Sequence, residues 1–251
     1  PDINNLKDIV MNNQYKTLFG QTYSTEDVAY HPTLLKSSQI LSASVNNHFW
    51  LGGLSQFDYK LGEKWNIAGG LDYRYYKGTH FTEILDLLGG DYFINEANLN
   101  AETTTKVVGD KIAREDRPYQ NHRDGLVQWA GGFGQAEYSH GQWTAFANVS
   151  VVGNFYKGID YFRNKQITLG GETFIIDDTT SIEYDGKSYN KFSSELVDNQ
   201  TEWIKKWGVT FKTGANFNID EKSNVFVNVG YLSRTPQYSN VINNNLNQPF
   251  D

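Results

Sequence analysis

The stretch GVTFKTGANFNIDEKSNVFVNVGYLSRT, at residues 208–235, decides the fold of this chain. Apolar and polar residues alternate with a period of two on both sides of the turn-forming DEKS, a pattern typical of two strands joined as a hairpin. If Phe217 lies opposite Val225, the apolar residues of both strands share one face, because opposed residues of an antiparallel pair point the same way. The stretch therefore predicts a hairpin with one apolar and one polar face.

The same alternation occurs upstream in two more pairs of tracts, which are joined by the short turns GEK and GQ. We expect Phe49 opposite Tyr75 in the first pair and Tyr138 opposite Trp143 in the second, since these registers also collect the apolar side chains on one face. The sequence thus predicts an all-β fold of about six antiparallel strands. The three predicted hairpins span residues 49–77, 126–156 and 203–235.

The connections between the hairpins are far longer than the turns within them. Residues 78–125 and 157–202 each exceed the ~12–15 residues beyond which structureless loops are uncommon, and loops of that length are usually functional. Residues 1–48 are predicted to be a further loop and a lead-in segment, with a short helix suggested by the apolar spacing of residues 6–18. Residues 49–251 are predicted to hold the hairpins.

The predicted strands are long, and aromatic residues lie at both ends of their apolar face. A tilted strand crosses a bilayer in ~9–11 residues, and these tracts run for about 12–17. Bands of amphipathic rings at both ends of an apolar stripe are typical of strands that meet two membrane interfaces. A soluble β-sandwich with an aromatic core explains the alternation as well. The rings are Tyr59, Trp65, Tyr138, Trp143 and Phe217 near the turns, and Tyr73, Tyr75, Phe155, Trp207 and Tyr231 toward the other end.

Composition narrows the class of protein. A net charge of −7 and a pI of about 5.3 disfavour binding to the phosphate backbone of nucleic acids. Aromatic residues make up 15% of the chain, which is too many for a disordered segment. The absence of cysteine excludes disulfides, thiolate metal sites and a cysteine nucleophile.

The sequence lacks the common motifs of enzymes. GFGQAE, at residues 132–137, misses the last glycine of the dinucleotide fingerprint and lies in a predicted strand. There is no P-loop, HExxH or GxSxG motif. The acidic residues between 177 and 185 lack the spacing of a calcium-binding EF-hand loop. We therefore predict no catalytic residues, no metal and no cofactor.

Four tracts in this order read HFWLGGLSQFDYKL, WNIAGGLDYRYYKGTHF, GGFGQAEYSHGQWTAFANVSVVG and GVTFKTGANFNIDEKSNVFVNVGYLSRTPQYSNV. Together they resemble the barrel of a TonB-dependent outer-membrane receptor, over about residues 37–241. The resemblance implies an antiparallel transmembrane β-barrel of 22 strands. This chain would supply a partial β-barrel of about six strands at residues 49–251, with long extracellular loops at residues 78–125 and 157–202. It also implies a location in the cell outer membrane of a Gram-negative bacterium.

Receptors of this family take up scarce nutrients. The resemblance implies that an extracellular small molecule, glycan or peptide is bound and then imported with energy supplied by the TonB complex, through a plug domain expected outside this chain. Membrane lipid is an implied partner, and a surface lipoprotein is a further one. The sequence leaves the ligand open among an iron chelate, haem, cobalamin, a glycan and a peptide. It also leaves two alternatives, a soluble all-β carbohydrate-binding module and a passive outer-membrane porin.

Candidate site residues follow from the faces and the loops. Polar-face side chains near the loop ends, and rings within the loops, would meet an extracellular ligand, since rings offer flat area to sugars, peptides and aromatic chelates. Other polar-face side chains would line the barrel interior and contact the plug. The ligand-binding candidates are Arg74, Tyr76, Tyr92, Phe93, Tyr156, Tyr161 and Arg234, and the lumen- or plug-facing candidates are Gln56, Asp72, Glu137, Asn216 and Asn218.

Overall fold

The computed structural model of the chain describes residues 17–18, 21–22, 24–26, 32–100, 107–109, 119–243 and 248–249. The chain divides into two units. The loop unit comprises Pro1–Asn47, Thr79–Asp124 and Ile159–Asn199, and the hairpin unit comprises His48–Gly78, Gly125–Gly158 and Gln200–Asp251.

The described residues are mostly strand, with one 3₁₀ turn at Tyr238–Asn240. No helix among them has the length and apolar character needed to cross a membrane. The helix predicted within residues 6–18 falls outside the described residues except at Thr17–Leu18, which form a strand. The strands are β1 (Thr17–Leu18), β2 (Gln21–Thr22), β3 (Ser24–Glu26), β4 (Leu35–Ser37), β5 (Leu41–Leu61), β6 (Trp65–Asp86), β7 (Tyr92–Ile94), β8 (Val107–Gly109), β9 (Tyr119–His140), β10 (Trp143–Asp160), β11 (Gln166–Leu169), β12 (Glu172–Ile175), β13 (Ile182–Tyr184), β14 (Lys187–Tyr189), β15 (Asn199–Gln200), β16 (Ile204–Asn218), β17 (Asn224–Ser233), β18 (Ile242–Asn243) and β19 (Gln248–Pro249).

Within the described part of the chain, the largest sheet has seven strands in the order β17-β16-β10-β9-β6-β5, with β15 paired to β10. Each predicted hairpin keeps its two strands adjacent, and the hairpins follow one another in chain order, as consecutive elements commonly do. The predicted all-β fold with antiparallel sheets is therefore confirmed. The loop unit adds a second sheet in the order β3-β4-β7-β8, in which β4 and β7 run parallel.

The register predicted for the third hairpin is confirmed. Phe217 pairs with Val225, so the alternating apolar residues of β16 and β17 share one face. In the first hairpin the rings of Phe49 and Tyr75, the predicted partners, lie 6.2 Å apart.

The register predicted for the middle hairpin is wrong by two residues. β9 ends at His140 and β10 begins at Trp143, so these two residues flank a two-residue turn. Asn148 Nδ2 donates to Gln135 Oε1 over 3.4 Å, a contact that fits the same register. Gly141 in the turn has a φ of 58°, which favours glycine and permits so tight a connection. A slip of two residues keeps every side chain on its predicted face.

The second and third hairpins join through β10 and β16. Their pairing runs from Trp143 opposite Phe217 to Tyr156 opposite Ile204. The apolar face of one hairpin therefore continues into that of the next, because opposed residues share a face.

The long strands extend beyond the predicted hairpins at the ends away from the turns. β6 continues to Asp86 and β9 begins at Tyr119, so part of the predicted loop 78–125 is strand. Near its far end β6 meets β5, where His80 Nδ1 lies 2.5 Å from Asn46 Oδ1. Pairing with a neighbouring strand extends these elements where the local alternation is too weak to predict them. The predicted loop 157–202 likewise contains the small hairpins β11–β12 and β13–β14.

Among the residues that the structure describes, some of the buried apolar side chains form two small clusters. In the loop unit, Ile84 and Leu87 pack with Ile40 and Phe93. In the hairpin unit, the buried residues are Tyr156, Val241 and Ile242, with Val127, Ile204 and Tyr238 packed against them.

Candidate functional site

One face of the hairpin unit is apolar and open. Its large side chains are 38% to 68% exposed, although such residue types are the ones most often buried. A second sheet packed over this face would bury them, and a contiguous exposed apolar surface of this kind marks contact with lipid or a partner. This apolar face consists of Phe49, Leu51, Phe57, Tyr59, Trp65, Leu71, Tyr73, Trp143, Val149, Val151, Trp207, Val209, Phe211, Val225, Val227, Val229 and Tyr231.

Aromatic rings pair across strands at both ends of the apolar face. Tyrosine and tryptophan have an apolar body and a polar tip, so they favour the interface between hydrocarbon and water. At the turn end the ring centroids are 4.9 Å apart for Trp65–Tyr138 and 4.6 Å apart for Trp143–Phe217; at the other end they are 6.2 Å apart for Phe49–Tyr75 and 6.3 Å apart for Phe155–Trp207.

The spacing of these ring bands matches a bilayer. On β16, Trp207 and Phe217 are separated by about ten residues at ~3.3 Å each, or ~33 Å along the strand. A strand tilt of ~40° reduces this to ~25 Å along the membrane normal, which is the usual height of the outward apolar band of a transmembrane barrel. The spacing is therefore compatible with strands that cross a membrane.

The polar face of the hairpin unit carries a cluster of two tryptophans around an arginine. The guanidinium of Arg74 donates from Nε to Asp72 Oδ1 over 3.0 Å, and its Nη2 lies 2.9 Å from Asp72 Oδ2. Arg74 Cζ also lies 4.6 Å from the ring centroid of Trp129 and 5.8 Å from that of Trp50. Cations over indole faces are attracted by the ring quadrupole. We call Trp50, Asp72, Arg74 and Trp129 the tryptophan–arginine cluster; its members come from β5, β6 and β9.

Asp72 is flanked by glycines on the two neighbouring strands, Gly52 on β5 and Gly131 on β9. A Cβ on Gly52 would lie 3.2 Å from Arg74 Cγ, and a Cβ on Gly131 would lie 3.2 Å from the carbonyl oxygen of Val151. Both are closer than most real Cβ contacts, so glycine lets the strands approach here. Gly52 therefore accommodates the Arg74 side chain, and Gly131 accommodates the neighbouring strand at Val151.

A second polar contact follows two residues along β6 on the same face. The Tyr76 hydroxyl lies 2.6 Å from His48 Nδ1, and the two rings stack with centroids 5.7 Å apart. Two ligand-binding candidates, Arg74 and Tyr76, therefore lie side by side on the polar face of one strand.

Two other candidates are less accessible than predicted. Tyr92 and Tyr156 are each only 2% exposed, so the expectation that their rings offer open area to a ligand is corrected. The Tyr156 hydroxyl donates to the carbonyl oxygen of Pro236 over 2.5 Å and accepts from Asn154 Nδ2 over 2.9 Å. Tyr156 thus anchors the segment after β17 to β10.

The remaining ligand-binding candidates are divided between the two units. In the loop unit, Phe93 packs on the Ile84 cluster, and the Tyr161 hydroxyl donates to Asp124 Oδ2 over 2.6 Å. Burial, together with the Asp124 carboxylate, raises the pKa of Tyr161, so its hydroxyl remains a proton donor. In the hairpin unit, Arg234 is exposed just after β17.

The lumen-facing candidates lie on strands of the polar face. Gln56 Nε2 donates to Asp58 Oδ2 over 3.1 Å, and Asn216 Nδ2 donates to Asn218 Oδ1 over 2.9 Å. Glu137, on β9, is half-buried.

Sequence reasoning missed Trp50 and Trp129 as site residues. Trp50 had a detectable signal, because the predicted register of the first hairpin places it opposite Arg74 on an otherwise polar face. Trp129 had none, since its approach to Arg74 depends on how the first and second hairpins pair.

The turn after β12 yields a pH-dependent prediction. Asp177 Oδ1 accepts from the Thr180 hydroxyl (2.7 Å) and from both the backbone N–H (2.8 Å) and the hydroxyl (2.9 Å) of Thr179. These hydrogen bonds lower the pKa of Asp177 to about 2. The stability they contribute is present above the ordinary aspartate pKa of ~3.9 and is lost as pH falls toward 2. Thr180→Ala is expected to raise the pKa of Asp177, measured by NMR titration of the carboxyl carbon.

The matched control is Thr168→Ala, because the Thr168 hydroxyl contacts Thr173 and not Asp177. An Asp177 pKa that is unchanged in Thr180→Ala, or equally changed in Thr168→Ala, would contradict this account of the turn.

No family model, curated protein or solved structure matches this chain.

Proposed function

We propose that this chain is part of a TonB-dependent outer-membrane receptor, which binds a scarce extracellular ligand and imports it in an energy-coupled way. The observation that carries the proposal is the apolar face of the hairpin unit, which is exposed along an antiparallel sheet and bordered at both ends by paired aromatic rings. Such a face is suited to the outside of a transmembrane barrel.

Energetics support contact with lipid. Burying one Val, Leu or Phe side chain contributes ~1.5–3 kcal/mol, so a face with this many exposed apolar side chains strongly favours removal from water. In a closed barrel, the opposite face of the sheet would line the interior, where polar side chains such as Gln56 and Asn216 meet water or a plug domain.

The connections support the same proposal. The turns at Gly141 and between β16 and β17 are short, whereas the connections at the other end hold the strands of the loop unit. Outer-membrane barrels have this asymmetry, with short periplasmic turns and long extracellular loops. The loop unit would capture the ligand at the cell surface, alone or with a surface lipoprotein, and TonB would act through the plug domain.

The two alternative functions, a soluble carbohydrate-binding module and a passive porin, require different structures. A soluble carbohydrate-binding module requires the apolar face to lie under a second sheet, and the exposures of Leu71 (68%) and Val229 (66%) count against it. A passive porin would share the apolar face, and it would differ by having no plug domain.

The proposal is tested by quenching tryptophan fluorescence with lipids brominated on their acyl chains. Two variants of the full chain, each retaining one of the six tryptophans and carrying Phe at the others, are reconstituted in vesicles. Trp207, on the apolar face, is expected to be quenched, and Trp129, on the polar face, is expected to be protected. If Trp207 is not quenched, or if the chain is a folded monomer in detergent-free buffer, the proposal is wrong.

A further inference from the structure

We propose that the tryptophan–arginine cluster binds an uncharged oligosaccharide. This inference deepens the proposed function and rests on it, because it requires the polar face of the sheet to border a water-filled path. It selects one ligand class where the sequence leaves several open.

The charge of the cluster favours a neutral ligand. Arg74 is held by Asp72 in a two-point ion pair, with Nε and Nη2 at 3.0 Å and 2.9 Å from the two carboxylate oxygens. The pair has no net charge, so it does not attract an anion as an isolated arginine would. An anionic chelate or a carboxylate-bearing porphyrin would also approach the Asp72 carboxylate, which repels it.

Two indole rings give the cluster flat apolar surface beside a charged pair. Trp50 is 64% exposed and Trp129 is 37% exposed. Pyranose rings have a C–H face that packs on indole and hydroxyls at their rim, so they match a surface of tryptophan beside charged polar groups. Both rings also lie against Arg74, which fixes their position while leaving part of each exposed.

The ion pair retains hydrogen-bonding capacity that suits hydroxyl groups. A guanidinium has five N–H donors and a carboxylate has about four acceptor positions, and the Arg74–Asp72 pair uses only part of each set. A sugar hydroxyl both donates and accepts, so neighbouring hydroxyls can bond to Asp72 and Arg74 together. Sites built to pair with hydroxyls discriminate strongly against ligands that lack them.

A buried polar side chain supports the strand next to Trp129. The register of the middle hairpin places Asn154 opposite Trp129 on the polar face. Asn154 is 9% exposed, and its Oδ1 has no hydrogen-bond partner among the described residues. Its Nδ2 donates to the Tyr156 hydroxyl and to Thr235 Oγ1, so this side chain helps to hold β10, the strand next to Trp129, in place.

Gly52 and Gly131 lie on the strands on either side of Asp72. A side chain on Gly52 would press on Arg74 Cγ, and one on Gly131 would press on the carbonyl oxygen of Val151, so the two glycines let the ion pair take its position between the strands. The cluster therefore combines two exposed indole rings with a fixed pair of donors and acceptors.

The test uses the full chain folded in detergent micelles. It is first applied to an array of neutral α- and β-glucans, mannans, xylans and galactans, together with sialylated glycans and a ferric catecholate chelate as anionic probes. Affinity for the best neutral oligosaccharide is then measured by calorimetry. Trp50→Ala and Trp129→Ala are each expected to weaken it roughly tenfold or more, as for other central aromatic contacts. Trp143→Ala, on the apolar face, is the matched control and is expected to change it less than about twofold.

Three outcomes would overturn the inference: no neutral glycan binds, an anionic probe binds more tightly, or binding is unaffected by both Trp50→Ala and Trp129→Ala. Quenching of Trp207 by brominated lipid, measured on the single-tryptophan variant in vesicles, separates this failure from failure of the proposed function. If Trp207 is quenched and no glycan binds, only the oligosaccharide inference fails.

Discussion

Val229→Arg is expected to lower the free energy of unfolding of the chain in phospholipid vesicles by about 2–4 kcal/mol. Val229 lies on the apolar face of β17, between the two bands of aromatic rings, and is 66% exposed. A charged side chain near the middle of the hydrocarbon core must lose its hydration or draw water into the bilayer, and either costs free energy. The measurement is urea unfolding of the vesicle-bound chain, followed by tryptophan fluorescence.

Leu232→Arg is the matched control, because Leu232 is on the same strand, is 55% exposed and points to the opposite face. It is expected to change stability by less than about 1 kcal/mol, since that face would border water. Equal effects of the two substitutions would contradict a lipid-facing role for the apolar face. A soluble sandwich, with a second sheet over the apolar face, would also be destabilised by Val229→Arg, so the lipid-quenching experiment is what separates it from a membrane barrel.

Asp160→Asn is expected to destabilise the loop unit by about 3 kcal/mol, at the lower end of the range for breaking a buried ion pair. Asp160 is 2% exposed, and its Oδ2 accepts from Arg123 Nε over 2.9 Å. Asparagine keeps the shape of the buried side chain and removes its charge, so the Arg123 guanidinium loses its counter-ion. The partial exposure of Arg123 (30%) lets water compensate some of this loss.

Hydrogen exchange of the amides around Arg123 and Phe162 measures this effect, since local opening reports local stability. Asp178→Asn is the control, because Asp178 is 78% exposed and its oxygen lies 3.2 Å from Lys191 Nζ. Exposed pairs of this kind contribute ~0–1 kcal/mol. If both substitutions had the same small effect, Asp160 would not hold the loop unit together.

Elements with a strong local pattern were predictable. The alternation on both sides of DEKS predicts β16, β17 and their register, because a hairpin with a short turn has few ways to place its apolar residues on one face. The middle hairpin shows the limit of this reasoning. Its small residues, such as Gly134 and Ala136, make a slip of two residues almost invisible in the pattern, and the turn at Gly141 decided the register.

The candidate site was predicted only in part, because some of its residues are brought together by pairing between strands that are distant in the sequence. Arg74 and Asp72 were assigned to the polar face from their positions in one strand, and the structure joins them in an ion pair. The approach of Trp129 required pairing between β6 and β9, which are separated by a long connection. The burial of Tyr92 likewise results from its place in the sheet of the loop unit, which its neighbours in the sequence do not indicate.

By itself, the sequence determined that the chain folds as antiparallel hairpins with one apolar and one polar face, because the two-residue period is a local property of a strand. Only the tertiary structure decided that the hairpins join edge to edge, that the apolar face remains uncovered and that two tryptophans enclose Arg74. These features depend on contacts between residues far apart in the chain. Such contacts form only when the whole sheet assembles, after long loops have closed at a cost in entropy.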